Sequence, residues 1–369
     1  MLIALIPAHN EEHCITNAIQ GLLNQTVVPD RILVIGDNCT DQTLSVASLF
    51  SPIVETVSTT NNHHKKAGAL NQVLAKILPL FSLSDHILVT DADSVLDPTF
   101  ISSALKTLED PSYGGVGGVF RGDPGGGFIG HLQRNEYARY ARDVRRLKGK
   151  CLVITGTAAV FPVHVLKEVS AARIKDGRPH PLFTTKKSRQ VKRTADPLPS
   201  GDGQGGIYDT SVLTEDNELS FAIMHLGYKI HSPKGCTLTT EIMSTWEDLW
   251  KQRTRWKRGA IENCVQYGLT HITAKYWARQ VFTMLGILVT FLYLVSLAAT
   301  PFLGGMHVQP LWLLVSLVFV VERVVTVRDM GWRQMLLSSL MYELILDFFL
   351  QIAHAKAYAD ALLRRNKEW

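Results

Sequence analysis

Three short apolar runs, each ending on a polar or acidic residue, constrain the fold most: LIALI at 2–6, ILVIG at 32–36 and HILVTD at 86–91. Each has the length of a buried strand. Stretches of helical character separate them, over about 11–24 after the PAHNEE loop, about 42–50, and 65–78. In the last, Ala69, Leu70, Val73, Leu74 and Ile77 recur at helical spacing. Strands alternating with helices predict a mostly parallel sheet covered on both faces. Such sheets bind ligands beyond the carboxyl ends of their strands. Asp37 and the DAD triplet at 91–93 stand at those ends. GGVGGVF at 114–120 and CLVITGTAAVF at 151–161 are expected as later strands, with a basic helix over 128–148 between them.

The tail has another character. Residues 281–299 carry no charge, enough for a membrane span. PLWLLVSLVFVV at 310–321 is a second candidate, ended by Glu322 and Arg323. A third, 335–355, holds Glu343 and Asp347 four residues apart, hence on one helix face. It reads either as a span whose acids face a bundle or as an interfacial amphipathic helix. The linker 301–310 has no Lys or Arg, whereas Arg323, Arg328 and Arg333 follow the second candidate. That asymmetry places the N-terminal domain in the cytoplasm. No signal peptide is expected, because the apolar run after Met1 is short and stops at Pro7.

Net charge is +5, which suits anionic partners such as nucleotide diphosphates or lipid head groups. No nucleic-acid motif is present. Five cysteines, Cys14, Cys39, Cys151, Cys236 and Cys264, lack CxxC spacing and fit reduced thiols. Residues 173–210 hold Arg173, Lys175, Arg178, Lys186, Lys187, Arg189, Lys192 and Arg193. They read as a flexible basic surface loop, or as a flap meeting an anionic lipid surface.

Three motifs follow one another in order: TDADS at 90–94, LTEDNEL at 213–219 and QRTRWKRG at 252–259. Each has an ordinary structural reading. DAD can end a strand, Thr214-Glu215-Asp216 can cap a helix, and Trp246, Leu249, Trp250 and Arg253 form a stripe that can lie on a bilayer. Together they supply carboxylates for a divalent cation, a separate carboxylate for proton abstraction, and cations beside a flat ring. Asp91 and Asp93 alternate along an expected strand, so both can face one side. Hard carboxylate oxygens suit Mg²⁺ or Mn²⁺ completed by substrate phosphates. Asp216 is the candidate general base, with Glu215 orienting it or the acceptor. Arg253 and Arg255 carry forked donors for phosphate oxygens. Gln252 can bond sugar or phosphate, and Trp256 offers a face to a sugar ring.

This ordered set resembles the membrane-bound family 2 glycosyltransferases, the group of cellulose, chitin and hyaluronan synthases. The resemblance covers roughly residues 3–300. It implies a GT-A fold, a Rossmann-like, mostly parallel α/β sheet over 1–243, followed by interfacial helices with QRTRW over 244–276 and a membrane region of two to three transmembrane helices over 277–369. It also implies a nucleotide-sugar donor, with UDP as the nucleotide, and a glycan or lipid acceptor. By the same resemblance Ala8, Glu11, Asp37, Lys66 and Asp91 contact the nucleotide, and His9 is a loop residue near the base.

A single base and no evident protein nucleophile imply inversion. Two outcomes stay open, single transfer to a lipid-linked acceptor and processive polymer synthesis. No span precedes the sheet and no FxVTxK-like gating segment is evident, which favours a short product. The intact TED and QRTRW motifs favour a synthase. A non-catalytic nucleotide-sugar sensor would need one of these chemical groups to be lost, and a transporter would need more spans.

Overall fold

β1 (Leu2–Ala8) is buried along its whole length and divides its side chains between two cores. Ile3 and Leu5 face one cluster, while Leu2, Ala4 and Ile6 face the other, as the two-residue period of a strand demands. The computed structural model describes residues 1–179, 181–182, 197–199, 204–303 and 310–365. The other strands are β2 (Arg31–Gly36), β3 (Val54–Ser58), β4 (His86–Thr90), β5 (Ser94–Leu96), β6 (Tyr113–Gly117), β7 (Val119–Gly122), β8 (Ala158–Pro162), β9 (Lys229–His231) and β10 (Thr237–Thr240). The helices of the first half are α1 (Ile15–Leu23), α2 (Thr43–Ser48), α3 (Lys65–Ile77), α4 (Phe100–Leu108), α5 (Gly127–Arg146) and α6 (Val163–Ile174). Those of the second half are α7 (Glu215–His225), α8 (Trp246–Tyr267), α9 (Ala274–Leu303), α10 (Pro310–Thr326), α11 (Trp332–Ser339) and α12 (Leu344–Leu362).

A seven-stranded sheet has the order β3-β2-β1-β4-β8-β6-β9. Strand β8 runs antiparallel to β4 and β6, and the other pairs are parallel. A second sheet, β5-β10-β7, has three strands. The mostly parallel α/β reading therefore holds, with three local differences. The run 114–120 is two strands on different sheets, broken at Gly118, where a Cβ would stand 2.3 Å from Leu238. Of 151–161, only the part from Ala158 onward joins a strand. Residues 151–157 are irregular because Ile154 donates its N–H to the Ser220 hydroxyl (2.9 Å) instead of a neighbouring strand. The basic segment 173–210 also differs at its start. Arg173 ends α6, is 1% exposed, and forms a buried ion pair with Glu218 at 2.5 Å. Lys186, Lys187, Arg189, Lys192 and Arg193 lie outside the described residues.

The tail departs most from expectation. Among the described residues one helical stretch, Ala274–Ser296 in α9, is long and apolar enough to cross a bilayer as an unbroken helix. It is almost wholly exposed, with Phe282, Val289 and Phe291 facing outward. The third candidate is not one straight span. It is α11 and α12, bent by 63° at a break where Met341 takes φ 56°. Glu343 and Asp347, at the start of α12, meet cations. Arg323 reaches Glu343 at 2.9 Å and also pairs with Asp347, and Arg139 of α5 reaches Glu343 at 3.2 Å. Asn135 adds a hydrogen bond to Glu343 at 2.9 Å. The two acids thus tie the tail to the first domain.

Helix α12 packs along α8. Leu132, Leu249 and Leu346 form a small buried cluster, and Trp246 and Trp250 lie against Phe349. The apolar stripe of α8, expected on a bilayer, is covered by α12 instead. A stripe at helical spacing seeks any apolar face, and the nearest one belongs to this chain.

Candidate active site

The carboxyl ends of β1, β2 and β4 meet the start of α3 and α7 to form the site. Strand β4 stops at Thr90, and Asp91-Ala92-Asp93 is a turn, so the two aspartates do not alternate along a strand. The turn is anchored by the Asp91 N–H, which donates to the Thr157 carbonyl at 2.9 Å. Lys66, in the first turn of α3, places its ammonium on Asp91. It also donates to the Gly156 carbonyl at 2.9 Å and stands 3.8 Å from Glu215. Burial works against this ammonium, yet Asp91, Glu215 and Asp216 raise its pKa above the ordinary lysine value. It is a fixed positive charge.

Asp216 accepts the Gly156 N–H at 2.9 Å. Burial and the neighbouring Glu215 push its pKa up to about 6, against the pull of Lys66. Gly156 therefore binds Asp216 by its N–H and Lys66 by its C=O. A small, partly open cavity of about 20 Å³ adjoins these groups, with Lys66, Gly156, Tyr208, Glu215 and Asp216 in its lining. It has room for one water. Thr214 sits at the N-cap position of α7 but makes no cap bond. Its hydroxyl accepts from Asn263 of α8 at 3.1 Å instead.

Asp93 accepts from Ser94 at 3.0 Å. Burial, then the charge of Asp91, pushes its carboxyl up to about 7, and Glu11 and Glu241 act in the same direction. Glu11 is raised too, first by burial, although the Cys14 thiol donates to it at 2.9 Å. Carboxylates thus crowd one side of the site, and of Glu11, Asp91, Asp93 and Glu241 there, Lys66 pairs with Asp91.

At the end of β2, Asp37 is buried and accepts from Asn62 at 2.8 Å and Thr59 at 2.9 Å. Its N–H donates to the Ala8 carbonyl at 2.8 Å, and its carbonyl meets His9 Nδ1 at 2.6 Å. Asn10 and Asn38 turn these loops with φ of 59° and 53°. Ala8, His9 and Asp37 so form one wall.

The QRTRW residues lie in the first half of α8, whose N-terminus is capped by Thr245 accepting the Asp248 N–H at 3.1 Å. Arg255 is half-buried and donates to the Leu213 carbonyl at 3.2 Å, just before TED. Arg253 is committed elsewhere. It is 5% exposed, pairs with Glu136 of α5 at 2.8 Å, and lies over the Trp256 ring at 4.5 Å. It braces Trp256. Gln252 keeps a buried amide oxygen without a partner.

The model of the family described as Glycosyltransferase like family 2 matches residues 2–259, well over half of the chain. The chain belongs to this family. A "Probable glycosyltransferase", YdaM, of Bacillus subtilis is 27% identical over 263 residues, covering 69% of this chain and 54% of the relative. The poly-beta-1,6-N-acetyl-D-glucosamine synthase of Staphylococcus aureus is 23% identical over 306 residues, covering 79% and 63%. The chain therefore spans less than two thirds of these relatives' own length. Among solved structures, a mannosyltransferase of Pyrobaculum calidifontis in complex with GDP-Man and Mn²⁺ has a TM-score of 0.60 at 16% identity. It covers 99% of this chain and 88% of its own. That likeness establishes the GT-A fold for this chain.

Three parts of the candidate site are not evident in the sequence. Gly156 lies in TGT at 155–157, a loop inside an apolar run that reads as strand. Asn62 and Thr59 carry no motif, although an Asx-type turn before α3 was legible in NNHHKK at 61–66. Glu241 follows β10 from the second sheet, and no local pattern links it to the DAD turn.

Proposed function

We propose that the chain transfers a sugar, with inversion, from a nucleotide-diphosphate sugar to a hydroxyl of a glycan or lipid-linked acceptor at the cytosolic face of a membrane. The arrangement that carries this reading is the pair of fixed groups on Gly156, the Asp216 carboxylate and the Lys66 ammonium. Asp216 takes the acceptor proton, and a carboxyl near 6 is ionised at neutral pH while remaining basic enough to do so. Glu215 sits beside it and keeps that pKa high. The acceptor oxygen, giving its proton to Asp216, attacks the anomeric carbon opposite the diphosphate, and the new carbon–oxygen bond forms as the bond to the departing diphosphate breaks, so the centre inverts.

Asp91 and Asp93 would hold Mg²⁺ or Mn²⁺. The crowding of hard carboxylates around Asp93 fits such an ion. Among the described residues no three ligating side chains converge into a complete chelate. This fits an ion completed by substrate phosphates. When bound, the cation neutralises charge on the departing diphosphate. Lys66 supplies a second, permanent positive charge beside Asp91. Ala8, Glu11 and Asp37 bind the nucleoside, with UDP as the expected nucleotide. Gln252, Arg255 and Trp256 face the diphosphate and acceptor, and Arg253 holds Trp256 in place.

The membrane part of the reading rests on the exposed apolar stretch of α9. A polymer product is the second reading, favoured by the staphylococcal relative that is named a synthase. Purified full-length protein in detergent, offered a panel of nucleotide sugars, should release nucleotide from one of them, and the product length profile separates the two outcomes. Nucleotide release by Asp216→Asn equal to wild type would defeat the assignment.

A further inference from the structure

A cleft of about 910 Å³ lies outside the site just described, between α5, β7, the segment after β9 and the end of α10. Its lining includes five permanent cations, Arg121, Arg134, Arg145, Lys148 and Lys234. Two carboxylates answer them: Asp97 pairs with Arg121 at 2.7 Å, and Asp329 stands 3.6 Å from Arg145. Arg134 is fixed by backbone carbonyls of Asp123 (2.9 Å) and Gly125 (2.7 Å), which orient the guanidinium and leave its charge in place. The floor between the cations is apolar, formed by Val119, Ala138, Ala141 and Val144.

The position of the cleft selects its occupant. One wall is Thr326, Asp329 and Met330, where α10 ends against α5. Close in the chain to that wall, α11 exposes Trp332 and Leu336, with Leu340 exposed just after it, and Leu147 is exposed next to the lining residue Lys148. Apolar side chains around a basic mouth are what an anionic leaflet meets. A soluble phosphate would use the cations and leave the apolar floor empty.

We propose that this cleft binds the headgroup of an anionic phospholipid, with the phosphate among Arg134, Lys148 and Lys234 and the glycerol end over the apolar floor. The inference rests on the membrane reading of α9, but not on transferase activity.

The test uses purified full-length protein in neutral detergent micelles, offered dioleoylphosphatidylglycerol or dioleoylphosphatidylcholine. Retained lipid is counted by native mass spectrometry, with no sugar donor present. Wild type should retain the anionic lipid preferentially. The triple variant Arg134→Gln, Lys148→Gln, Lys234→Gln should lose that preference by about fivefold per cation removed. A control variant, Arg146→Gln with Lys150→Gln, removes two cations of the same region that do not line the cleft and should keep it. Unchanged thermal midpoints establish that the variants are folded. Equal retention of both lipids by wild type, or equal losses in the triple variant and the control, would overturn the proposal. So would displacement of the lipid by an equal concentration of glycerol phosphate, which would point to a soluble anion. A chain that high salt strips from membranes fails the membrane reading instead, and a chain that binds the lipid but transfers no sugar fails only the proposed function.

Discussion

Gly156 and Asp216 are joined by one backbone hydrogen bond of 2.9 Å, and the carbonyl of the same glycine holds Lys66. A Cβ at Gly156 would stand 3.1 Å from Oδ2 of Asp216 and 3.3 Å from its Cγ. That is tighter than a carboxylate tolerates without moving. Gly156→Ala should therefore shift the base by a few tenths of an ångström at unchanged charge. Misplacement by ~1 Å can cost ~10²-fold, so a fall in kcat of about tenfold is expected, with KM for the donor within a few-fold. Steady-state nucleotide release measures both. A variant that loses donor affinity and keeps kcat would show that the glycine serves binding alone.

Asp216→Asn should lower turnover by ~10²–10⁴-fold and leave nucleotide binding nearly intact, because it removes a base and no phosphate contact. The pH profile carries an independent signature. Burial and Glu215 raise the Asp216 pKa to about 6, so the base is protonated and inactive below that pH. The acid limb of kcat should fall near pH 6, above the range of an ordinary aspartate. Lys66 pulls this pKa down. Lys66→Met should therefore move the limb to higher pH while lowering overall activity. A limb near pH 4, unmoved by that change, would assign the proton step to another group.

What could be read from sequence follows the range of the interactions. Buried strands announce themselves through continuous apolar runs, so β1, β2 and β4 were legible, as was α3 through its helical spacing. Features fixed by distant partners were not. The DAD turn leaves β4 because the Asp91 N–H finds Thr157, 66 positions on in the chain. The bend before α12 has no proline or glycine to signal it. Met341 adopts φ 56° there, and Glu343 next to it is drawn to Arg323 and Arg139. The apolar stripe on α8 is legible in the sequence, but its partner is not, since α12 begins nearly ninety residues beyond Trp256. The motif residues were found by type, and only the fold separates Arg253, buried against Glu136, from Arg255, which stays half-exposed near Asp216.

Asp93→Asn should weaken Mn²⁺-dependent binding of UDP and leave metal-free binding nearly unchanged. The substitution keeps size and removes one of the hard oxygen donors that such ions prefer. Calorimetry with and without EDTA reads the difference. If chelation leaves the wild type fully active with normal donor binding, no divalent ion takes part.

Leu346→Ala should destabilise the chain, because Leu346 is fully buried against Leu132 and Leu249. Leu→Ala in such a setting costs ~2–5 kcal/mol. The QRTRW helix shares that contact, so transferase activity should fall along with the thermal midpoint. Removal of everything from residue 278 onward should be worse. It takes away α12 and uncovers Trp246, Leu249 and Trp250, so the truncated chain is expected to aggregate. The full-length chain should stay with membranes through a high-salt wash, as an apolar α9 requires. A soluble, monomeric and active truncation would show that α12 is not part of the catalytic unit.

Arg255→Lys separates chemistry from surface charge. The arginine donates one nitrogen to the Leu213 carbonyl at 3.2 Å, which leaves other donors of its fork for a diphosphate. Lysine keeps the charge and loses the planar fork that grips two oxygens at once. If Arg255 serves the leaving group, the deficit should appear in kcat, because negative charge builds there in the transition state. Arg253→Lys should behave differently. Its guanidinium is spent on Glu136 and on the Trp256 ring, so its replacement should lower stability and raise the acceptor KM together. If Arg255→Lys shows wild-type kcat and an activity that tracks only the anionic lipid content of the membrane, Arg255 is a surface contact and leaves the catalytic set.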